Sequence, residues 1–523
     1  MDEYILTLTT FLPLLGILFL LPIKKESENV LKYIAWIFSF ITFLLSLYLY
    51  FNFDSARAGM QFTLKIPWIV EWGISYSVGI DGLSLWLYIL TTLLSWISIW
   101  SSWSAIKDRL KGYLISLLLL EVGMLGVFIS LDLFLFYVFW ELMLIPMYFL
   151  IGLWGGVNRL YATIKFVLFT LVGSLMMLVA IIALLVMHHA AVGYLSFDLM
   201  DMYRLDIPLQ VQMWLFAAFA LAFAIKVPMF PFHTWLPDAH VQAPTAGSVI
   251  LAGVLLKMGT YGFLRFCIPL FPEAFQEYIP VISILAVIGI IYGALVAMVQ
   301  KDVKSLVAFS SVSHLGFIML GMAALNMQGM QGALIQMVNH GISTGALFLI
   351  VGMIYERRHT RMIRDLNGLF TSMPVWTTFF IIVSLSSIGL PFTNGFVGEF
   401  LILVGAFKAN VTYAVLAAFG IILAAGYMLW MLQRTVFGEI VNEENKNLKD
   451  INLREKLILI PLIILIFWIG LYPKTFFTPM EKSLDLVLRR AQVAQVDENP
   501  NPSEEYGLNT ISNLDSEQGR GQR

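Results

Sequence analysis

A single cysteine in 523 residues removes several kinds of chemistry at once. Cys267 alone closes no disulfide within the chain, and an iron–sulfur cluster needs about four thiolate ligands. Charge is scarce too: Asp, Glu, Lys and Arg make up 13% of the residues, against roughly 25% in a soluble domain. No G-x-x-x-x-G-K loop and no G-x-G-x-x-G turn occurs, so the chain shows no visible means of holding ATP, NADH or a flavin. The 32 basic residues are offset by 34 acidic ones, which leaves no electrostatic footprint for nucleic acid. Energy must reach this chain from elsewhere.

Apolar residues are plentiful, at 59% of the total with a mean hydropathy of +0.82. Runs of about 20 apolar residues, enough to cross a bilayer as a helix, recur down the chain and define an all-α polytopic membrane protein. About fourteen spans are expected, near 4–22, 30–51, 81–105, 112–130, 131–153, 162–188, 211–234, 244–268, 276–299, 303–323, 328–355, 375–405, 411–434 and 457–472. The start, MDEYILTL, carries acids where a signal peptide has a basic region, so the first span is expected to stay.

Basic residues gather in the loops after odd-numbered spans, among them Lys24, Lys25, Lys107, Arg109, Lys111, Arg159, Lys301, Lys304, Arg357, Arg358, Arg361 and Arg364. By the positive-inside rule those loops are cytoplasmic and the N-terminus lies outside. An even span count then places the C-terminus outside. From 476 to 523 the chain turns polar; PMEKSLDLVLRRA suggests a short interfacial helix, and beyond about 490 disorder is expected.

Within the spans a few ionisable side chains remain: Glu121, Glu141, Lys165, Lys226, Lys257, His314, His340 and Glu399. Such groups face a bundle interior or a wet cavity and mark ion or proton paths. Lys165, near a span start, reads as a structural salt bridge or a snorkelling end residue, and Glu121 fits either reading. Glu141 and Lys226 lie well inside their spans and are expected to form a buried pair, because pairing offsets desolvation. Separating them favours proton release from the lysine, a switch that a conformational change could throw. Lys257 has no carboxylate in its own span. His314 and His340, on successive spans, titrate near neutrality by nature. Alone, each reads as a satisfied core residue; with the lysines they suggest a relay.

Two spans carry helix breakers beside a charge. AFAIKVPMFPFHTWLPDAHVQAP places Lys226 before Pro228 and Pro231, and SLSSIGLPFTNGFVGEFLIL places Pro391, Asn394, Gly395 and Gly398 before Glu399. Non-helical backbone at membrane depth survives only when buried or lining a water-filled cavity. Interrupted spans at matching places in two halves point to inverted repeats with ion sites near the midplane. The expected organisation is spans 1–3 over 1–111, a first repeat over 112–268, a second over 276–434, a loop and last span over 435–475, and the tail over 476–523.

The runs WELMLIPMYFLIG, AFAIKVPMFPFHTWLPDAHVQAPTAGSVILAGVLLKMGTYG, QKDVKSLVAFSSVSHLGF, QMVNHGISTGALF and GLPFTNGFVGEF closely resemble the antiporter-like M-type (chain 4) subunits of respiratory complex I, the NADH–quinone oxidoreductase. The resemblance is strong over about residues 80–435. It implies fourteen helices with inverted five-helix repeats and broken helices 7 and 12. It further implies proton-transfer roles for Glu141 of span 5, Lys226 of span 7, Lys257 of span 8, His314 and His340 of the central axis, and Glu399 of span 12. Some sibling families carry lysine at that last position, so Glu399 favours the M type. FMN, iron–sulfur clusters and quinone would belong to partner subunits, and the partners would be the L-, N-, K-, J-, A- and H-type membrane subunits and the peripheral redox arm. A bacterial inner membrane is the implied location. Two other readings share these residues: an Mrp-type cation/proton antiporter subunit without redox partners, and a b-type haem carrier with His314 and His340 as axial ligands.

Overall fold

The computed structural model describes residues 2–493. Among these, ten helices are long and apolar enough to cross a membrane, or eleven if Leu453–Leu471 and Lys474–Gln492, bent by 70°, make one span. Ile5–Leu20, Leu85–Ser101 and Pro374–Ile388 are apolar but shorter. The expected fourteen spans therefore exceed the long ones, and the shortfall lies in these short helices and at chain breaks. One antiparallel hairpin, Gln61–Ile69 with Ile74–Ile80, interrupts the helical order. Its turn needs Gly73, whose φ is 69° and whose added Cβ would stand 2.0 Å from the Leu195 carbonyl.

Proline sets where the helices break. The Pro146 ring cannot donate to the Leu142 carbonyl four residues back and clashes with it, and the span 133–154 divides there into Leu133–Leu142 and Leu144–Trp154. Leu209–Lys226 stops directly before Val227–Pro228, and helix resumes only at Trp235–Gln242. Pro374–Ile388 ends at Gly389 (φ 81°), and Asn394–Ala409 follows after the irregular 390–393. Both expected breaks are present, each beside its charged residue.

Met327–Arg358 and Thr245–Leu270 form the centre, with every residue of their best apolar windows buried. Arg159–Val192, 34 residues long, runs along the outside, with Leu160, Ile164, Leu168, Val172, Val179 and Val186 exposed. The separation follows composition. The buried helices carry glycine and polar side chains, which let backbones approach and bond, whereas the outer one presents leucine and valine.

The short helix expected over PMEKSLDLVLRRA is present and extends beyond that motif at both ends. Residues 476–493 belong to the helix Lys474–Val493, because Phe476, Met480, Leu484, Val487, Leu488 and Ala491 recur at helical spacing and are buried. Trp86 donates to the Phe476 carbonyl at 3.0 Å, and the Gly82 amide to Ser483 Oγ at 3.0 Å. The expectation of disorder beyond about 490 falls almost wholly on 494–523, which lie outside the described residues.

Candidate functional site: a buried row of ionisable side chains

Four of the expected residues meet in the centre. Lys257 sits between two π-helical stretches, Leu251–Leu255 and Phe263–Cys267. Such local widening is frequent at functional sites because it displaces carbonyls from the helical ladder; here the Ala252 carbonyl accepts from Lys257 Nζ. The same nitrogen lies 2.5 Å from His340 Nδ1 on Met327–Arg358. The His340 ring is 5.7 Å, centroid to centroid, from that of His314 on Val303–Ala323. His314 Nδ1 then lies 2.8 Å from Glu399 Oε1, to which Gln336 Nε2 also donates at 3.1 Å. All four residues are at most 3% exposed, so the row is sealed from solvent on its flanks.

Two glycines make this arrangement possible. An added Cβ on Gly395 would stand 2.1 Å from the Ser386 carbonyl, and one on Gly398 would stand 2.2 Å from Gln336 Oε1. Both let the broken helix press against its neighbours and bring Glu399 into reach of His314. Beside the row a cavity of about 10 Å³ is lined by His314, Gln336, Asn339, His340, Ser343, Ser386 and Ser387. That is room for about one water centre and far too little for a porphyrin between the two histidines. The axial-ligand reading of His314 and His340 fails on this geometry.

Glu141 and Lys226 are not joined. Lys226 is 1% exposed, and its Nζ has no hydrogen-bond partner among the described residues. It sits 5.2 Å from the Trp140 ring centroid and 5.8 Å from that of Phe166, a cation–π setting. Glu141 acts on this ammonium only through space. Residue 141 is half-buried overall, but Oε1 of its carboxylate is enclosed with no hydrogen-bond partner among the described residues, and the carboxylate faces Tyr137. The expected buried contact pair is thus corrected to an open one. The reason is positional: the last turn of Leu133–Leu142 aims Trp140 at the lysine, and the neighbouring Glu141 side chain is turned to Tyr137 instead.

Lys165 does form the static tie expected of it, 2.7 Å from Asp238 Oδ2, with the two side chains 21% and 40% exposed. At such exposure the pair contributes at most about 1 kcal/mol. Lys165→Met is accordingly expected to shift the thermal unfolding midpoint only slightly, which calorimetry of the purified protein checks.

Three positively chargeable side chains were not singled out from sequence. His240, fully buried, stacks on Phe348 with centroids 4.7 Å apart, and neither of its ring nitrogens has a partner among the described residues. Lys304, read as a loop residue, is 5% exposed and donates to the Ala243 carbonyl at 2.6 Å. His233 is 3% exposed in the break after Lys226. Lys304 and Lys257 are the cations that face His240. Lys304 also lines a cavity of about 320 Å³, together with Arg361, Gln242 and Tyr355. The available signal was position: WLPDAHVQ follows the broken span directly, so its histidine enters the interior with it.

Residues 130–424 match the family described as NADH:quinone oxidoreductase/Mrp antiporter, transmembrane. NADH-quinone oxidoreductase subunit M of Rickettsia prowazekii is 45% identical over 489 residues, covering 92% of this chain and 98% of that protein. The subunit M of Rhodobacter capsulatus is 46% identical, covering 90% and 94%. NADH-ubiquinone oxidoreductase chain 4 of Arabidopsis thaliana is 44% identical, covering 92% and 96%. A chain of respiratory complex I from Thermus thermophilus superposes with a TM-score of 0.85 at 33% identity, over 93% of this chain and 99% of that one. A chain of the Mrp complex of Dietzia shares the fold, with a TM-score of 0.82 at 20% identity over 94% and 99%.

Proposed function

Since the chain belongs to the NADH:quinone oxidoreductase/Mrp antiporter transmembrane family, on the side of the subunit M relatives, we propose that it is a proton-translocating membrane-arm subunit of NADH–quinone oxidoreductase. It works within that enzyme beside the other membrane-arm subunits and the redox arm. FMN, iron–sulfur clusters and quinone reduction belong to those partners. The reading carries with it fourteen spans, inverted repeats over 112–268 and 276–434, and an N-terminus outside a bacterial inner membrane, supported by the breaks at Lys226 and Glu399 and by the basic loops.

The observation that carries this reading is the continuous row Lys257–His340–His314–Glu399. A proton on Lys257 Nζ passes to His340 Nδ1 across 2.5 Å. His340 Nε2, buried and without a partner among the described residues, releases it toward His314 through the small polar cavity. His314 then donates through Nδ1 to Glu399. Entering each imidazole at one nitrogen and leaving from the other moves the proton with no ring rotation. Lys226, held apart from Glu141, is the group whose charge the partner subunits set: closing the pair favours the ammonium, and opening it favours proton release. Protons enter from the side of the basic loops and leave near Glu399.

The test is NADH-driven quinone reduction and proton pumping in reconstituted complexes carrying Lys226→Ala. A fall in both is expected, and near-normal rates would sink the mechanism. The Mrp-type reading is less supported, since that likeness is of fold alone. Flavin and iron–sulfur absorbance in the native particle separates the two.

A further inference from the structure

The row leaves one buried carboxyl unused. Glu121 lies midway along Leu110–Ile129 and is 0% exposed. Its Oε2 accepts from Ser39 Oγ at 2.9 Å, whereas Oε1 has no partner among the described residues. Of the elements packed against its helix, Ile5–Leu20, Leu85–Ser101, Leu144–Trp154 and Ile74–Ile80 carry no charged residue, Glu28–Phe51 carries Glu28 and Lys32 near its start, Leu133–Leu142 carries Glu141, and Leu256–Gly262 carries Lys257. On its own helix the only other charge is Lys111, ten residues away or about 15 Å along the axis. Among the described residues no cation pairs with this carboxyl, so its anion would bear an uncompensated desolvation cost.

The facing helix Leu85–Ser101 explains why a carboxyl can nevertheless be kept there. Tyr88, Ser95 and Ser102 follow one another at intervals of seven residues and so share one face. Tyr88 bonds Thr10 at 2.9 Å at one end, and Ser102 bonds Tyr113 at 2.9 Å at the other. The second bond fixes the antiparallel register: 102 − 7 = 95 stands opposite 113 + 7 = 120, adjacent to Glu121. Ser95 Oγ, and Ser98 Oγ one turn nearer Ser102, are both buried with no partner among the described residues. An unpaired buried hydroxyl is destabilising, and a water bonded to two or more polar groups relieves it.

We propose that Glu121, Ser95 and Ser98 form a hydrated, protonatable site, separate from the central row, which exchanges protons with the membrane side on which Ser102 and Tyr113 lie. The O–H bond broken is that of the Glu121 carboxyl, and the proton passes to the water held between the three oxygens. The two unpartnered hydroxyls, Ser95 and Ser98, extend the line from Glu121 toward Ser102, whereas toward the opposite side Thr91 Oγ1 is spent on the Leu87 carbonyl and no unpartnered hydroxyl of this helix continues it. The site stores a proton without leaking it across the membrane. The same helix, Leu85–Ser101, also packs through Leu90 and Leu94 against Gly341 and Gly253, neighbours of His340 and Ala252. That helix therefore touches both the site and the backbone beside the row. A positive charge arriving on Lys257 or His340 favours release at Glu121, making it a counter-charge for the relay.

The inference rests on the proton-translocating reading for its use, but its test reads protonation and survives a failure of pumping. The probe is redox-triggered infrared difference spectroscopy of the intact complex in H2O and D2O. Glu121→Gln, which keeps the acceptor for Ser39, is expected to remove one carboxylic-acid C=O band that shifts in D2O in the parent. Ser95→Ala is expected to keep that band but move its frequency, and it serves as the informative variant if the glutamine protein fails to assemble. Identical spectra for parent and variants, or a Glu121 band insensitive to D2O, would overturn the proposal.

Discussion

Lys257→Met is expected to reduce NADH-driven proton pumping by a hundredfold or more, with the complex still assembled. Methionine matches the length of the lysine stem and fills irregular interiors well, so the packing between the two π-helical stretches survives. What disappears is the only ammonium within hydrogen-bonding distance of His340 among the described residues. Positioned proton-transfer groups contribute about 10²–10⁴-fold in rate, and a relay with one member missing has no parallel path through a site this sealed. The check pairs two assays on one preparation. NADH oxidation by an artificial acceptor at the redox arm stays normal, while pumping and quinone reduction fall together. A loss of both assays would point to failed assembly instead.

The largest structural effect is expected at the Asp81–Arg265 pair. Arg265 Nη2 lies 2.5 Å from Asp81 Oδ1, and both side chains are 5% exposed. The same carboxylate oxygen accepts from the amides of Leu83 and Ser84 at 3.0 and 3.3 Å, so it also holds the turn that leads into Leu85–Ser101. Arg265→Met leaves that carboxylate buried and unpaired, which costs about 3–5 kcal/mol. Adding Asp81→Asn removes the stranded charge while an oxygen remains to accept from the two amides. The single variant should show a markedly lower melting midpoint and poor incorporation into the complex, and the double variant should recover most of both. Equal losses in the two would show that the pair matters through packing rather than charge.

The chemistry was more legible in the sequence than its arrangement. Charges inside apolar runs stand out because each is costly there, and Lys257, His314, His340 and Glu399 were all visible on that ground alone. The breaks at Pro228 and Pro391 were equally plain, since proline and glycine act locally. Contacts between spans are not local. Glu141 and Lys226 look like partners by charge, yet the helix rotation that places Trp140 against the lysine depends on how Leu133–Leu142 packs, which one-dimensional spacing does not encode. Lys304 looked like any loop cation because it follows Gln300 and Lys301 at a span boundary; its burial arises only when Ala243 offers a carbonyl from a distant segment. His240 hid in the polar-looking run WLPDAHVQ. The amphipathic pattern of 474–493 was visible in part, but its full extent is set by the groove it fills.

The most direct measurement is proton release into reconstituted vesicles during a single NADH-limited turnover, comparing the parent complex with His340→Leu. His340 is 3% exposed and joins the two ends of the row; leucine is apolar and close to histidine in volume, and it carries no proton. If protons pass through this chain by way of that row, release per NADH falls in the variant while the redox arm still oxidises NADH at its normal rate. Release equal to that of the parent, at equal quinone reduction, would contradict the relay.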